Sequence, residues 1–227
     1  MNATMAEKTE TGCRLDAVCA RLADALALPV VHVLAFAGAL RKADMLPAAA
    51  LLSVENAVDL LIALLASDLS DRAVERCRLY RAVPMVEVVV RLPNDQVVVL
   101  PAADVAITPG GGKKFSDVAR SFGSALASYI RRRIAAEADL LPPRHIQVWR
   151  RSPAPLATLV SDEPGGEVTG VFRASGDMAT DFVTADLRGL TMTAQIHGFV
   201  LDALAELFGA AAQASAKTAA AAALQEN

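Results

Sequence analysis

The sequence predicts an α+β fold, in which a helical N-terminal domain precedes a domain that mixes a β-hairpin, a helix and further strands. Three observations lead to this prediction. Apolar residues recur at helical spacing up to about residue 83, β-branched runs such as "MVEVVVRL" begin at residue 85, and Pro and Gly clusters separate the later elements. With 227 residues, of which 54% are hydrophobic and 21% charged, the chain is typical of globular proteins.

Four helices are expected in the N-terminal domain, residues 13–83, behind a flexible segment at residues 1–12. Prolines and N-capping side chains give their approximate bounds: residues 14–27, residues 30–44, a third helix capped by Ser53, and a fourth capped by Ser70 and ended by Pro84.

The second domain, residues 84–209, is expected to be mixed, and an Ala-rich tail follows at residues 210–227. Its expected elements are a hairpin near residues 85–101, a loop "TPGGGKK", a helix from a cap at Ser116 to about Glu137, strands "HIQVWRR", "LATLVSD" and "EVTGVFRA", and a helix from Thr193 to Phe208. The tail either extends this last helix or stays unpacked.

The first two helices have the spacing of a helix-turn-helix motif in "VCARLADALALPVVHVLAFAGALRKADMLP". Their turn falls near Pro29, and Val31, Leu34 and Gly38 are expected to pack against the first helix. Over residues 14–65, the ending "LRKADMLP" resembles the "LR-x-AG-LLP" ending of helix-turn-helix proteins of bacterial prophages. It is also similar to the first winged-helix unit of MerR-type transcription regulators. The resemblance implies a DNA-binding unit.

Two features depart from that family. Asp44 stands at the family's Gly, and "AAALL" replaces the Arg/Gly-rich segment that would form a basic wing. On the second helix, the candidate groove-facing residues are His32, Ala35, Phe36 and Ala39, with Arg41 and Lys42 at its end. Base reading requires Arg, Lys, Asn or Gln near the start of the helix, so the motif has the shape of a DNA reader with little of its chemistry.

Several basic residues elsewhere are candidates for contacts with DNA phosphates. They are Arg72 and Arg76 on one helix face, Lys113 and Lys114 in the Gly-rich loop, and the cluster Arg131, Arg132 and Arg133. Each has a second interpretation: a solvated helix surface, a surface turn, and the preference of arginine for helix C-termini. Trp149, beside Arg150 and Arg151, would stack on a base if this cluster bound nucleic acid.

Charge is distributed unevenly along the chain. Residues 83–151 hold 10 Lys or Arg against 6 Asp or Glu, whereas residues 152–227 hold 3 against 9. A basic middle segment favours an anionic partner, and an acidic end favours self-association. Alternatively, the two segments neutralise each other within one fold.

Motifs for catalysis, cofactors and metals are missing from the sequence. The Gly-rich loop is not a Walker A motif, because Ile107 occupies the required Gly position and Lys114 replaces Ser or Thr. His32, His145 and His197 fit no triad or metal motif, and the three cysteines match no zinc or redox spacing. We therefore expect no enzyme activity and no cofactor. The absence of a secretory signal or an uninterrupted apolar stretch of about 18 residues predicts a cytoplasmic protein without membrane contact.

Two functions remain as hypotheses. The first is a non-enzymatic DNA-associated protein, a phage-type regulator or DNA-packaging accessory, that binds double-stranded DNA mainly through phosphates. The second is a protein-interaction or assembly module with a helix-turn-helix fold that no longer reads DNA. Under either hypothesis, valine-rich edge strands predict a homo-oligomer.

Overall fold

The computed structural model describes residues 12–48, 51–102, 106–108, 111–114, 121–136, 143–150, 155–163, 166–174 and 193–225. The predicted α+β class is confirmed. Six α-helices lie in the described residues: α1 Leu15–Ala25, α2 Val30–Lys42, α3 Val54–Ala66, α4 Ala73–Ala82, α5 Phe122–Ile134 and α6 Phe199–Gln225. The ten strands described are β1 Cys13–Arg14, β2 Leu51–Leu52, β3 Met85–Arg91, β4 Val97–Pro101, β5 Ala106–Thr108, β6 Gly111–Lys114, β7 Pro143–Trp149, β8 Leu156–Glu163, β9 Gly166–Arg173 and β10 Thr193–His197.

Six of the strands form one antiparallel sheet in the order β10-β7-β8-β9-β3-β4. The hairpin predicted near residues 85–101 and the three strands predicted after residue 143 all lie in this sheet. Two small pairs, β1 with β2 and β5 with β6, stand apart from it. Within the described parts of the chain, the strands at its two ends, β10 and β4, each pair on one side only.

The two faces of the sheet differ in chemistry. Residues opposite each other in neighbouring strands point to the same face, so the registers define rows across the sheet. One row is apolar and faces the helices: Ile196, Ile146, Leu159, Gly170, Val88 and Leu100. A row on the other face is largely polar, and in it Gln147 donates to the Oε1 atom of Gln195 at 2.9 Å.

Helices from both halves of the chain pack together on the apolar face. Buried residues of α1 to α6 and of the sheet form one hydrophobic cluster, with Phe122 and Phe172 in edge-on contact. Helix α1 packs against α6: Arg21 donates to the carbonyl of Ala203 at 3.3 Å and pairs with Glu206 at 2.6 Å. The division at residue 83 stays a prediction, but the core is continuous across it.

The prediction of a helix beginning at Thr193 is wrong. Residues 193–197 form the edge strand β10, and the helix begins at Phe199 and continues through the Ala-rich tail to Gln225. Gly198 connects the two elements and lies against β7. A Cβ atom at this position would lie 1.6 Å from the carbonyl oxygen of Pro143. Only glycine permits this close approach to β7.

Three other local predictions are corrected. Ser121, not Ser116, caps α5 and accepts from the amide of Ser124. The Gly-rich loop contains strand β6, which pairs with β5. Ser70 caps no helix, since it begins a 3₁₀ turn without a side-chain bond. Ser53, by contrast, caps α3 through the amide of Asn56 as predicted. Residues 1–11, 116, 137 and 151 lie outside the described residues.

Candidate functional site

The face of α2 that was predicted to read DNA is partly buried, and the face that was predicted to be buried is partly exposed. Phe36 is fully buried, so its assignment as a groove-facing residue is wrong. His32 is half-buried and contacts the Phe36 ring, with 4.9 Å between ring centroids. Val31, predicted to pack inward, is 70% exposed. The helix is therefore rotated about its axis relative to the prediction.

The exposed face of α2 carries no charged side chain over its first two and a half turns. It is formed by Val30, Val31, Leu34 and Ala35. Gly38 lies next to them, and a Cβ atom at this position would meet no atom within 4 Å. The first basic residues are Arg41, half-buried, and Lys42, exposed, in the last turn. We call Val30, Val31, Leu34, Ala35 and Gly38 the α2 surface.

The turns on both sides of α2 contain residues in the left-handed region. Ala27, in the connection between α1 and α2, has φ +52°, and Asp44, after α2, has φ +56°. Glycine favours this conformation most, and Asp tolerates it better than most other residues. The backbone at Asp44 is therefore one that glycine or aspartate adopts more readily than most residues.

Helix α4 and the turn before it present basic residues to solvent. Arg72 and Arg78 are exposed and Arg76 is half-buried. Within the part of the chain that the structure describes, none of the three takes part in an ion pair. These charges are available to an anionic partner.

The arginine cluster of α5 lies against acidic residues of other helices. Arg131 pairs with Glu55 of α3, and the Nε atom of Arg133 lies 3.0 Å from the Oδ1 atom of Asp202 of α6. Asp202 also accepts from the hydroxyl of Tyr129 at 2.8 Å. Arg132 lines a cleft beside Arg131. The cluster therefore joins helices, and much of its charge is neutralised within the fold.

Arg150 also has a structural role. Its guanidinium donates to the carbonyls of Leu64 and Leu65 at the end of α3 and pairs with Asp68. A cation is favourable at the negative end of a helix dipole. Trp149 is half-buried, and its carbonyl accepts from the hydroxyl of Tyr80, so the backbone of this segment is fixed to α4.

A cleft of about 380 Å³ lies between α3, α4 and α5. Its polar lining consists of Glu55, Asp59, Arg81, Ser121, Ser124, Ser128, Arg131 and Arg132. Asp59 is only 1% exposed and pairs with Arg81 through Oδ2. Its Oδ1 atom is buried without a hydrogen-bond partner among the described residues. Burial raises the pKa of Asp59 to about 6, and the charge of Arg81 opposes that shift.

Sequence reasoning did not select Asp59 and Arg81 as a pair. The available signal was Asp59, the one charged residue between Ala57 and Ala66 in the apolar part of α3. Such a residue needs a cationic partner when it is buried. The arrangement explains how an acid is accommodated in the core. The described residues that line the cleft include no His or Cys.

The cysteines are buried, and burial raises the pKa of Cys13 and Cys19 to about 11 and that of Cys77 to about 12. These thiols are therefore protonated and unreactive at neutral pH. Among the residues that the structure describes, no group of three or more His, Cys, Asp or Glu side chains is placed to hold a metal ion. The side chains of Lys113 and Lys114 lie outside the described part.

Among the described residues, one helix is long and apolar enough to cross a membrane: α6 over Phe199–Ala221, with a mean hydropathy of 1.2. Its first half packs in the hydrophobic core through Val200, Leu201 and Leu204. Burial in the core therefore accounts for the apolar character of that half. From Gln213 to Ala221 the helix is exposed.

No protein-family model, curated protein or solved structure matches this chain. The resemblance to prophage and MerR-type helix-turn-helix proteins therefore stays a prediction.

Proposed function

We propose that this chain is an assembly module that binds further copies of itself through the α2 surface. In this proposal α1 and α2 form a helix-turn-helix unit that does not read bases. The observation that carries the proposal is the chemistry of the α2 surface: Val31 and Leu34 are 70% and 43% exposed, and no base-reading side chain accompanies them. The resemblance of the segment to prophage proteins favours a phage or prophage setting.

Two further features support this choice. Small residues at Ala35 and Gly38 allow a second helix to approach the backbone of α2 closely. Contiguous exposed apolar surface is typical of protein interaction sites, whereas a DNA-binding surface carries cations. A second α2 surface, related by a two-fold axis, would bury the same apolar side chains on both copies.

Contact with DNA phosphates is a second candidate function. The observation that favours it is that Arg72 and Arg78 are exposed and have no ion pair among the described residues. Such contacts position a protein on DNA without reading its sequence. This function would use α4 instead of α2, so the two candidates are separable by mutation.

Light scattering at micromolar concentration, beside a fluorescence polarisation titration with double-stranded DNA, tests the proposal. We expect the wild type to be oligomeric and the double variant Val31→Glu, Leu34→Glu to form smaller assemblies. The matched control is Leu69→Glu with Leu79→Glu, which places two charges at apolar positions of similar exposure outside α2. A monomeric wild type, or equal loss in both variants, would contradict the proposal.

In the DNA titration we expect weak binding without preference for any sequence. If phosphate contacts matter, the double variant Arg72→Ala, Arg78→Ala should flatten the slope of log affinity against log salt by about 1.8, or about 0.9 for each contact. The triple variant of Arg131, Arg132 and Arg133 to Ala should flatten it less, because two of these residues pair with Glu55 and Asp202. A strong sequence preference that is lost in His32→Ala would instead support a DNA reader.

A further inference from the structure

Strand β4 is unusual because it is apolar on both faces and lies at an edge of the sheet. Val97, Val98, Val99 and Leu100 are 54%, 40%, 55% and 37% exposed. The register with β3 places Val98 and Leu100 on the helix-facing side and Val97 and Val99 on the other side. Among the described residues no strand pairs with the outer edge of β4.

The opposite edge of the same sheet has the composition expected of an edge in contact with water. In β10 the exposed residues Thr193, Gln195 and His197 alternate with half-buried Ala194 and Ile196. Edge strands normally carry charged or polar side chains that prevent pairing with other chains. β4 has none from Val97 to Pro101.

We propose that β4 pairs antiparallel with β4 of a second copy about a two-fold axis, so that the sheet continues from one chain into the next. This contact is separate from the α2 surface. A second copy suits the edge because the same uncharged strand lies on both sides of the axis, and each copy covers the other's valines. An axis at Val98 or Val99 also keeps the helical layers of both copies on one side of the sheet.

Charge determines the direction of pairing. Asp95, in the turn before β4, is the nearest acidic residue. With the axis at Val98, the antiparallel arrangement separates the two Asp95 residues by about 20 Å, at about 3.4 Å per residue. A parallel arrangement in register would place them side by side.

Two separate self-association surfaces on one copy take assembly beyond a dimer. We therefore expect a wild-type mass above that of two 23.8 kDa chains. The double variant Val97→Lys, Val99→Lys should reduce the assembly to a dimer held by the α2 surface. The control Thr193→Lys with Gln195→Lys, on the polar edge, should retain the wild-type mass. Circular dichroism checks that each variant is folded.

Cross-linking tests the geometry directly. All three native cysteines are buried, so Val98→Cys or Val99→Cys adds the one exposed thiol. Residues opposite each other on the axis have Cα atoms about 4.5–5.5 Å apart, which is within the range for a disulfide. We expect mild oxidation to link two chains efficiently in one of these two variants, and not in Leu69→Cys.

The outcomes separate this inference from the proposed function. Unchanged mass in the β4 variant, with no cross-link at residue 98 or 99, would overturn the inference and leave the α2 proposal standing. Unchanged mass in Val31→Glu, Leu34→Glu, together with a monomeric β4 variant and a cross-link, would overturn the α2 proposal and support the strand pairing. If the protein becomes monomeric only when the two double variants are combined, that result supports both the α2 proposal and the strand pairing.

Discussion

The two faces of helix α2 are both apolar, yet only one belongs to the core. Val33, Phe36, Ala37 and Leu40 are buried against neighbouring helices, whereas Val30, Val31, Leu34 and Ala35 contact solvent. A helix that is hydrophobic all round is normally enclosed on all sides. Folding explains the apolar residues of the buried face but not those of the exposed face, which the proposed self-association would cover.

The largest expected effect distinguishes the two faces by stability. Phe36→Ala should lower the free energy of unfolding by about 3–5 kcal/mol, because it removes a fully buried ring and leaves a cavity. Val31→Ala, on the exposed face, should change it by less than about 1 kcal/mol in dilute protein. Urea denaturation measures both values. Equal losses of unfolding free energy would contradict the assignment of Phe36 to the buried face and Val31 to the exposed face.

Burial also distinguishes charged groups, because it changes their pKa. Asp59, a buried acid, provides the next test. Burial raises the pKa of Asp59 from the ordinary 3.8 to about 6. Between these values the folded chain holds a proton that the unfolded chain has released. The free energy of unfolding should therefore fall as the pH rises from about 4 to about 6, by about 2–3 kcal/mol.

Asp59→Asn removes this titration, and Arg81 can stay hydrated because its side chain is 45% exposed. We expect the difference in unfolding free energy between variant and wild type to change by that amount over the same pH range, measured by urea denaturation at each pH. The matched control is Asp68→Asn, since Asp68 is a partly exposed acid paired with Arg150. A pH-independent difference for Asp59→Asn would contradict the raised pKa.

The smallest expected effect is stabilising. Gly38→Ala adds a methyl group to the α2 surface where nothing lies within 4 Å, and alanine is favoured over glycine inside a helix. The free energy of unfolding of the monomer should rise by about 0.5–1 kcal/mol. Thermal melting in dilute protein measures it. A loss of stability would indicate that the backbone of α2 is already covered at this position.

Local signals in the sequence predicted most of the fold. The cap at Ser53, the hairpin of β3 and β4 and the strands β7, β8 and β9 follow from capping side chains, β-branched runs and turn residues. The rotation of α2 could not be predicted in this way, because valine, leucine and alanine surround most of that helix and give no preferred side. The edge strand β10 was missed for a similar reason, since "TAQIH" alternates in polarity but continues directly into a helical pattern.

The candidate site was less predictable than the fold. Counting arginines in "YIRRRIAAEA" identified a basic cluster, but the partners of Arg131 and Arg133 lie 76 and 69 residues away in the chain. Ion pairing of that kind depends on tertiary packing, which spacing along the sequence does not reveal. Of the two arginines predicted to share a solvated helix face, Arg72 is exposed and Arg76 is half-buried.

The packing of α1 against α6 has a consequence for synthesis on the ribosome. Arg21 and its acceptor Ala203 are 182 residues apart. At about 5–20 residues per second, a ribosome takes about 10–40 s to make the chain between them. During that interval the side of α1 that will contact α6 has no partner, and a nascent chain that stalls before α6 cannot complete its core. The last helix to be translated is thus needed to complete the packing of the first.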